Sequence, residues 1–150
     1  MTSSLFLPKH YAPNIRTLTV SGIVQASPPI SPVDSHGDFE LDRALEILLI
    51  GAQYYPNAQA YQVVGHSMSG LIEHGEIVLV NPNDEFNFLR PCIFETPNGY
   101  VVKMRGLHKG KPALLSRNRS VQPITDMTDF RSRGSVHGVY LKPFTIRGIS

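Results

Sequence analysis

The chain has 150 residues, 41% hydrophobic and 17% charged, which is the size and mix of one compact domain with a real core and excludes a disordered tail or a multidomain machine. A single cysteine, Cys92, rules out an internal disulfide, and no stretch approaches the roughly 20 apolar residues that would cross a bilayer. The net charge of +2 hides an asymmetry: residues 1–100 carry four Lys/Arg against ten Asp/Glu, residues 101–150 ten against two.

Residues 1–37 read as an extended, mobile N-terminal arm. Its start, "MTSSLFLPKHYAPNIRT", lacks the continuous apolar core of a secretory signal, so a cytoplasmic protein is expected. Within the arm "TLTVSGIV" has strand-like β-branched content, and "QASPPISPVDSHG" is rich in Pro and Ser. Residues 38–150 are expected to form the body. It opens with "DFELDRALEILLI", where Leu41, Ala44, Leu45, Leu48 and Leu49 recur at spacings of three and four behind a candidate N-cap, Asp38. This predicts one short helix lying against a sheet.

Twelve prolines and twelve glycines, spread along the chain, interrupt other helices and favour short strands joined by turns. Strands are predicted at "AYQVVG", "EIVLV", "CIFETP", "GYVVKMRG", "KPALLS" and "SVHGVYLKPF". Asn98 and Gly99 in "TPNGYV" signal a hairpin, so the flanking strands should pair antiparallel. The expected fold is mainly β, a curled antiparallel sheet with one short helix and the N-terminal arm.

In "VVGHSMSGLIEHGEIVLVNP" an apolar run enters a glycine turn, presents His66 and Ser67, and resumes as another apolar run. A serine on such a turn is either punctuation or a nucleophile, and a nucleophile needs a base. His66 is adjacent, but neighbouring side chains on an extended segment point to opposite faces. His74 sits in the polar turn "EHGE", where exposure is the simpler reading, and the six histidines show no metal-ligand spacing. Lys103 lies inside the apolar strand "GYVVKMRG". Either its stem covers apolar surface while its head reaches water, the commoner case, or the amine is buried and its pKa lowered, making it a neutral base.

"VVGHSMSGLIEHGEIVLVNP", followed by "YVVKM", resembles the C-terminal domain of the LexA/UmuD family of self-cleaving proteins, whose motif runs approximately Gly-Asp-Ser-Met and then Gly-Asp before an apolar strand. "VQASPP" resembles that family's cleavage segment and "SVHGVYLKPF" its closing strand, so the likeness runs from about Gly22 to Phe144. The resemblance implies a LexA/signal-peptidase-like fold, with Ser67 as nucleophile, Lys103 as base, cleavage between Ala26 and Ser27, and an oxyanion hole from the backbone N–H groups of Ser67 and Met68. His66 replaces the usual Asp, Glu76 another Asp, and Ser27 the glycine after the cut; Pro28 restricts Ser27 to extended geometry.

With no DNA-binding segment ahead of this region, the resemblance is to short UmuD-like members. It implies a homodimer, a RecA filament on single-stranded DNA as trigger, an error-prone DNA polymerase as partner in the SOS response, and no cofactor or metal. The alternative is a non-proteolytic protein-binding module, or a phage-repressor-like regulator, of the same fold. Direct nucleic-acid binding through "KMRGLHKGKPALLSRNRS" is disfavoured because no aromatic residues interleave the basic ones. A signal peptidase is disfavoured by the missing membrane segment.

Overall fold

The computed structural model describes residues 15–26, 46–50, 56–141 and 145–148. These residues form nine strands: β1 Ile15–Gln25, β2 Glu46–Ile50, β3 Gln59–Val64, β4 Ile77–Asn81, β5 Cys92–Thr96, β6 Gly99–His108, β7 Lys111–Leu115, β8 Arg131–Leu141 and β9 Thr145–Gly148. They join in one mixed sheet of order β2-β1-β3-β4-β8-β5-β6-β7, with β9 on β8. A further pairing, Val24↔Tyr100 and Gln25↔Val101, brings β1 against β6. The path β1-β3-β4-β8-β5-β6 therefore returns to β1, and the expected curl is a closed ring of six strands.

Most neighbours are antiparallel, but β1 runs parallel to both β3 and β6. Residues expected to form a mobile arm thus supply a stave of the barrel. Alternation explains how the sheet buries both faces. In "IVLV" of β4 all four residues are buried, Val78 and Val80 in a cluster with Val24, Val63, Met68, Ile93 and Val102, and Ile77 and Leu79 in a second with Val20, Leu49 and Tyr140. A third, smaller cluster holds Cys92, Phe94 and Leu114.

The helix expected over 38–50 is corrected at its C-terminal end. Glu46–Ile50 is a strand paired antiparallel with Ile15–Thr19, and the described residues contain no helix. Residues 38–45, including Asp38, Leu41, Ala44 and Leu45, lie outside the described residues. Short apolar runs satisfy either period: in "EILLI", Ile47 and Leu49 are buried while Glu46 is exposed. The edge of β1 offers this run backbone partners, and tertiary pairing overrides the local helical preference.

Two hairpins frame the region of interest. Between β5 and β6, Thr96 faces Gly99 across Pro97 and Asn98. Proline at the second position and a glycine with φ +115° at the fourth suit a type I turn followed by a positive-φ residue. Between β6 and β7, Lys109 and Gly110 both have positive φ, which gives the two-residue type I′ connection. Strand β8 shifts register once against β4 and once against β5, and these irregularities bend its 11 residues around the ring.

Candidate active site

Strand β6 changes partners along its length. Strand β5 pairs with Gly99–Lys103 on one edge, while on the opposite edge β1 pairs with Tyr100 and Val101, and β7 takes over at Met104. Lys103 sits at the junction where β1 ends and β7 begins. Although it lies in an apolar strand, its side chain does not reach water: it is only 2% exposed.

The turn after β3 brings in Ser67, which is also buried. The Ser69 N–H donates to the His66 carbonyl and the Ile72 N–H to the Met68 carbonyl, forming a tight turn, and the Asn118 N–H donates to the Ser67 carbonyl. The fully buried Met68 side chain anchors this turn in the core and accepts the Arg117 N–H at Sδ, 3.4 Å away. Gly65 begins the turn with φ +104°, a conformation that favours glycine.

Ala26 completes the group. Its N–H donates to the Val64 carbonyl, continuing the alignment of β1 along β3. Its carbonyl oxygen accepts a hydrogen bond from Ser67 Oγ and another, at 2.7 Å, from Lys103 Nζ. Lys103 Nζ lies 3.5 Å from Ser67 Oγ and donates to Ser116 Oγ at 2.7 Å. Burial lowers the Lys103 pKa from 10.5 to about 8, because desolvation penalises the ammonium. About a tenth of such an amine is neutral at pH 7. The arrangement can therefore move a proton between a serine hydroxyl and an amine beside a peptide carbonyl.

The sequence-derived candidates divide cleanly. Ser67, Lys103 and Ala26 come together, although they are 36 and 77 residues apart along the chain by pair. Ser27 and Pro28 lie outside the described residues. His66 is exposed and stacks on His74 at 4.9 Å, while His74 Nδ1 accepts the Gly65 N–H at 2.8 Å. Among the described residues no group of His, Cys, Asp and Glu could hold a metal ion.

Ser116 was not singled out by sequence reasoning. Its signal lies in the hairpin: pairing of Met104 with Leu115 across the Lys109–Gly110 turn, carried one residue further, puts Ser116 opposite Lys103.

Arg105 lies over the rings of Phe86 and Phe94, and Arg133 pairs with Glu95. Arg117 and Arg119 line a groove beside Ser116.

Among the described residues no helix is long and apolar enough to cross a membrane. A family model described as Peptidase S24-like matches residues 19–137. No curated protein matches the chain.

Proposed function

The chain belongs to the Peptidase S24-like family, that of LexA/UmuD-type self-cleaving serine proteases, and from that premise we propose that it cuts its own Ala26–Ser27 bond with a Ser67/Lys103 dyad. The observation that carries this reading is the buried Lys103 amine, 3.5 Å from the Ser67 hydroxyl, with both groups hydrogen-bonded to the Ala26 carbonyl oxygen.

In the proposed reaction neutral Lys103 takes the Ser67 proton as Oγ bonds to the Ala26 carbonyl carbon. The carbonyl has turned from Lys103 and Ser67 before this attack, so its oxygen, now bearing the negative charge, faces the backbone N–H groups of Ser67 and Met68. Collapse breaks the Ala26–Ser27 C–N bond, the Lys103 ammonium protonates the departing Ser27 amine, and water then releases Ala26 as a carboxylate. No cofactor enters these steps.

Tethering explains why such a site acts on its own chain, since a linked bond has a high effective concentration. Two features hold the rate down. Most of the amine is protonated at pH 7, and the Ala26 oxygen points at the dyad, so the carbonyl must turn before attack. A partner that stabilised the turned carbonyl would act as a trigger. By the family resemblance we assign that part to a RecA filament on single-stranded DNA. On the same ground we propose that the protein acts as a cytoplasmic homodimer in the SOS response and as an accessory subunit of an error-prone polymerase.

The test is incubation of the purified chain at alkaline pH with intact-mass readout. Cleavage should give a fragment beginning at Ser27, and Ser67→Ala and Lys103→Ala should each abolish it. An uncut chain at pH 9 to 10, with or without the filament, would refute the peptidase reading and leave a protein-binding module of the same fold.

A further inference from the structure

A buried lysine can serve as a base only if its lone pair is aimed, because a neutral amine turns freely about its terminal bond. Lys103 Nζ has three directions besides its own chain. Ser116 Oγ and the Ala26 carbonyl oxygen each lie at 2.7 Å, and Ser67 Oγ, hydrogen-bonded to that same carbonyl oxygen, lies at 3.5 Å on the carbonyl's side of the amine. A neutral amine has two N–H groups and one lone pair. Once the Ala26 oxygen turns from its place beside Ser67, the lone pair can take that side while Ser116 keeps one N–H.

These two acceptors differ in permanence. The Ala26 oxygen belongs to the bond under attack and must turn away before the tetrahedral centre forms. Ser116 belongs to the body: it follows β7, whose hairpin register with β6 sets it opposite Lys103, and the adjoining Asn118 N–H is bonded to the Ser67 carbonyl. The same short segment thus touches both members of the pair.

We infer that Ser116 is the positioning residue of the dyad, its hydroxyl oxygen holding one N–H of Lys103 so that the lone pair is directed at Ser67 Oγ once the Ala26 carbonyl has turned. This rests on the reading of Ser67 and Lys103 as nucleophile and base.

Several titratable groups surround the amine. Cys92 is its register partner on β5, Arg105 lies two residues along β6, Arg117 follows Ser116, and His66 precedes Ser67 on the turn. Burial is the cause of the lowered lysine pKa, and burial also raises that of the Cys92 thiol. Ser116 accepts from the amine in both its charged and its neutral form, but more strongly from the ammonium. Its loss therefore lowers the lysine pKa further while slowing proton transfer, a pair of effects that loosened packing does not produce. Admitted water would raise the pKa back towards 10.5.

The experiment compares self-cleavage of the full chain, Ser116→Ala and Ser116→Thr from pH 6 to 10. In parallel, the Lys103 side chain is titrated by NMR in a Ser67→Ala background, with and without Ser116→Ala. Ser116→Ala should lower the alkaline plateau by about tenfold or more, as expected for loss of one aligned hydrogen bond in proton transfer, and move the midpoint below that of the parent. Ser116→Thr should restore both.

A plateau within about threefold of the parent, or a midpoint that rises, would overturn the inference. So would a folded Ser116→Thr no better than Ser116→Ala. If no chain is cut, the peptidase reading fails separately and the titration still decides: a lower Lys103 pKa in Ser116→Ala supports the hydrogen-bonded hold, and an unchanged one refutes it.

Discussion

Replacing Lys103 by methionine removes the charge while keeping an unbranched side chain, and the structure sets how its effect on stability changes with pH. In the folded chain the amine titrates at about 8 against 10.5 in the open. The folded state therefore holds fewer protons between those values, and stability rises with pH across the window. A difference of about 2.5 units corresponds to about 3 kcal/mol, felt in full below pH 8 and gone above pH 10.5. Methionine escapes that penalty but forfeits the hydrogen bonds to Ala26 O and Ser116 Oγ, worth about 1 kcal/mol each. The variant should be about 1 kcal/mol more stable than its parent at pH 7 and about 2 kcal/mol less stable at pH 10.5. The comparison belongs in a Ser67→Ala background, which keeps the chain intact. Because the chain has no tryptophan and tyrosines ionise near pH 10, urea unfolding is best followed by far-UV circular dichroism. A difference that stays constant within about 1 kcal/mol from pH 7 to 10.5 would show that the amine is not desolvated in the folded chain.

The cleavage rate of the parent should rise about tenfold per pH unit below 8 and level off above it, as the neutral amine becomes the dominant form; a rate flat from pH 6 to 9 contradicts Lys103 as base. Asp84 accepts hydrogen bonds from Ser135, Asn87 and His137, which lower its pKa from 3.8 to about 2. Its contribution is present above pH 4 and lost as pH falls through about 2. Discounted for partial exposure, Asp84→Ala should destabilise the chain by about 1–2 kcal/mol at pH 7 and by much less at pH 2, as urea titrations at the two values would show. Gly134 has φ +114°, and a Cβ there would come within 2.1 Å of the Asn81 carbonyl oxygen. Gly134→Ala should cost about 3 kcal/mol or more, read as a lowered urea midpoint; a loss under about 1 kcal/mol would mean that β4 and β8 separate easily at this point.

Strand content was legible because the apolar runs are short and bounded by turn residues, and the Asn98–Gly99 pair marked the β5–β6 hairpin. The run at Glu46–Ile50 misled because Leu48 and Leu49 extend a helical stripe as readily as they fit a strand, and only the edge of β1 decides between them. The parallel placement of β1 left no local trace, since register between segments far apart in sequence depends on the closed ring. At the site, the types and order of Ser67 and Lys103 were readable through their motifs. Whether Lys103 snorkels was not: that depends on Ala26 and Ser116 covering its amine from just beyond the ends of β1 and β7. Ser116 could have been found by counting back across the Lys109–Gly110 turn.

The stave that ends at Ala26 has a consequence for what a cut there would release. Strand β1 is zipped to β2, β3 and β6 at once, and its Val20 and Val24 are buried in two different clusters. Scission at its end would leave a nicked barrel whose severed piece behaves as a bound peptide, with an off-rate of its own. The moment at which a downstream partner senses the event would then be set by unzipping, and not by hydrolysis.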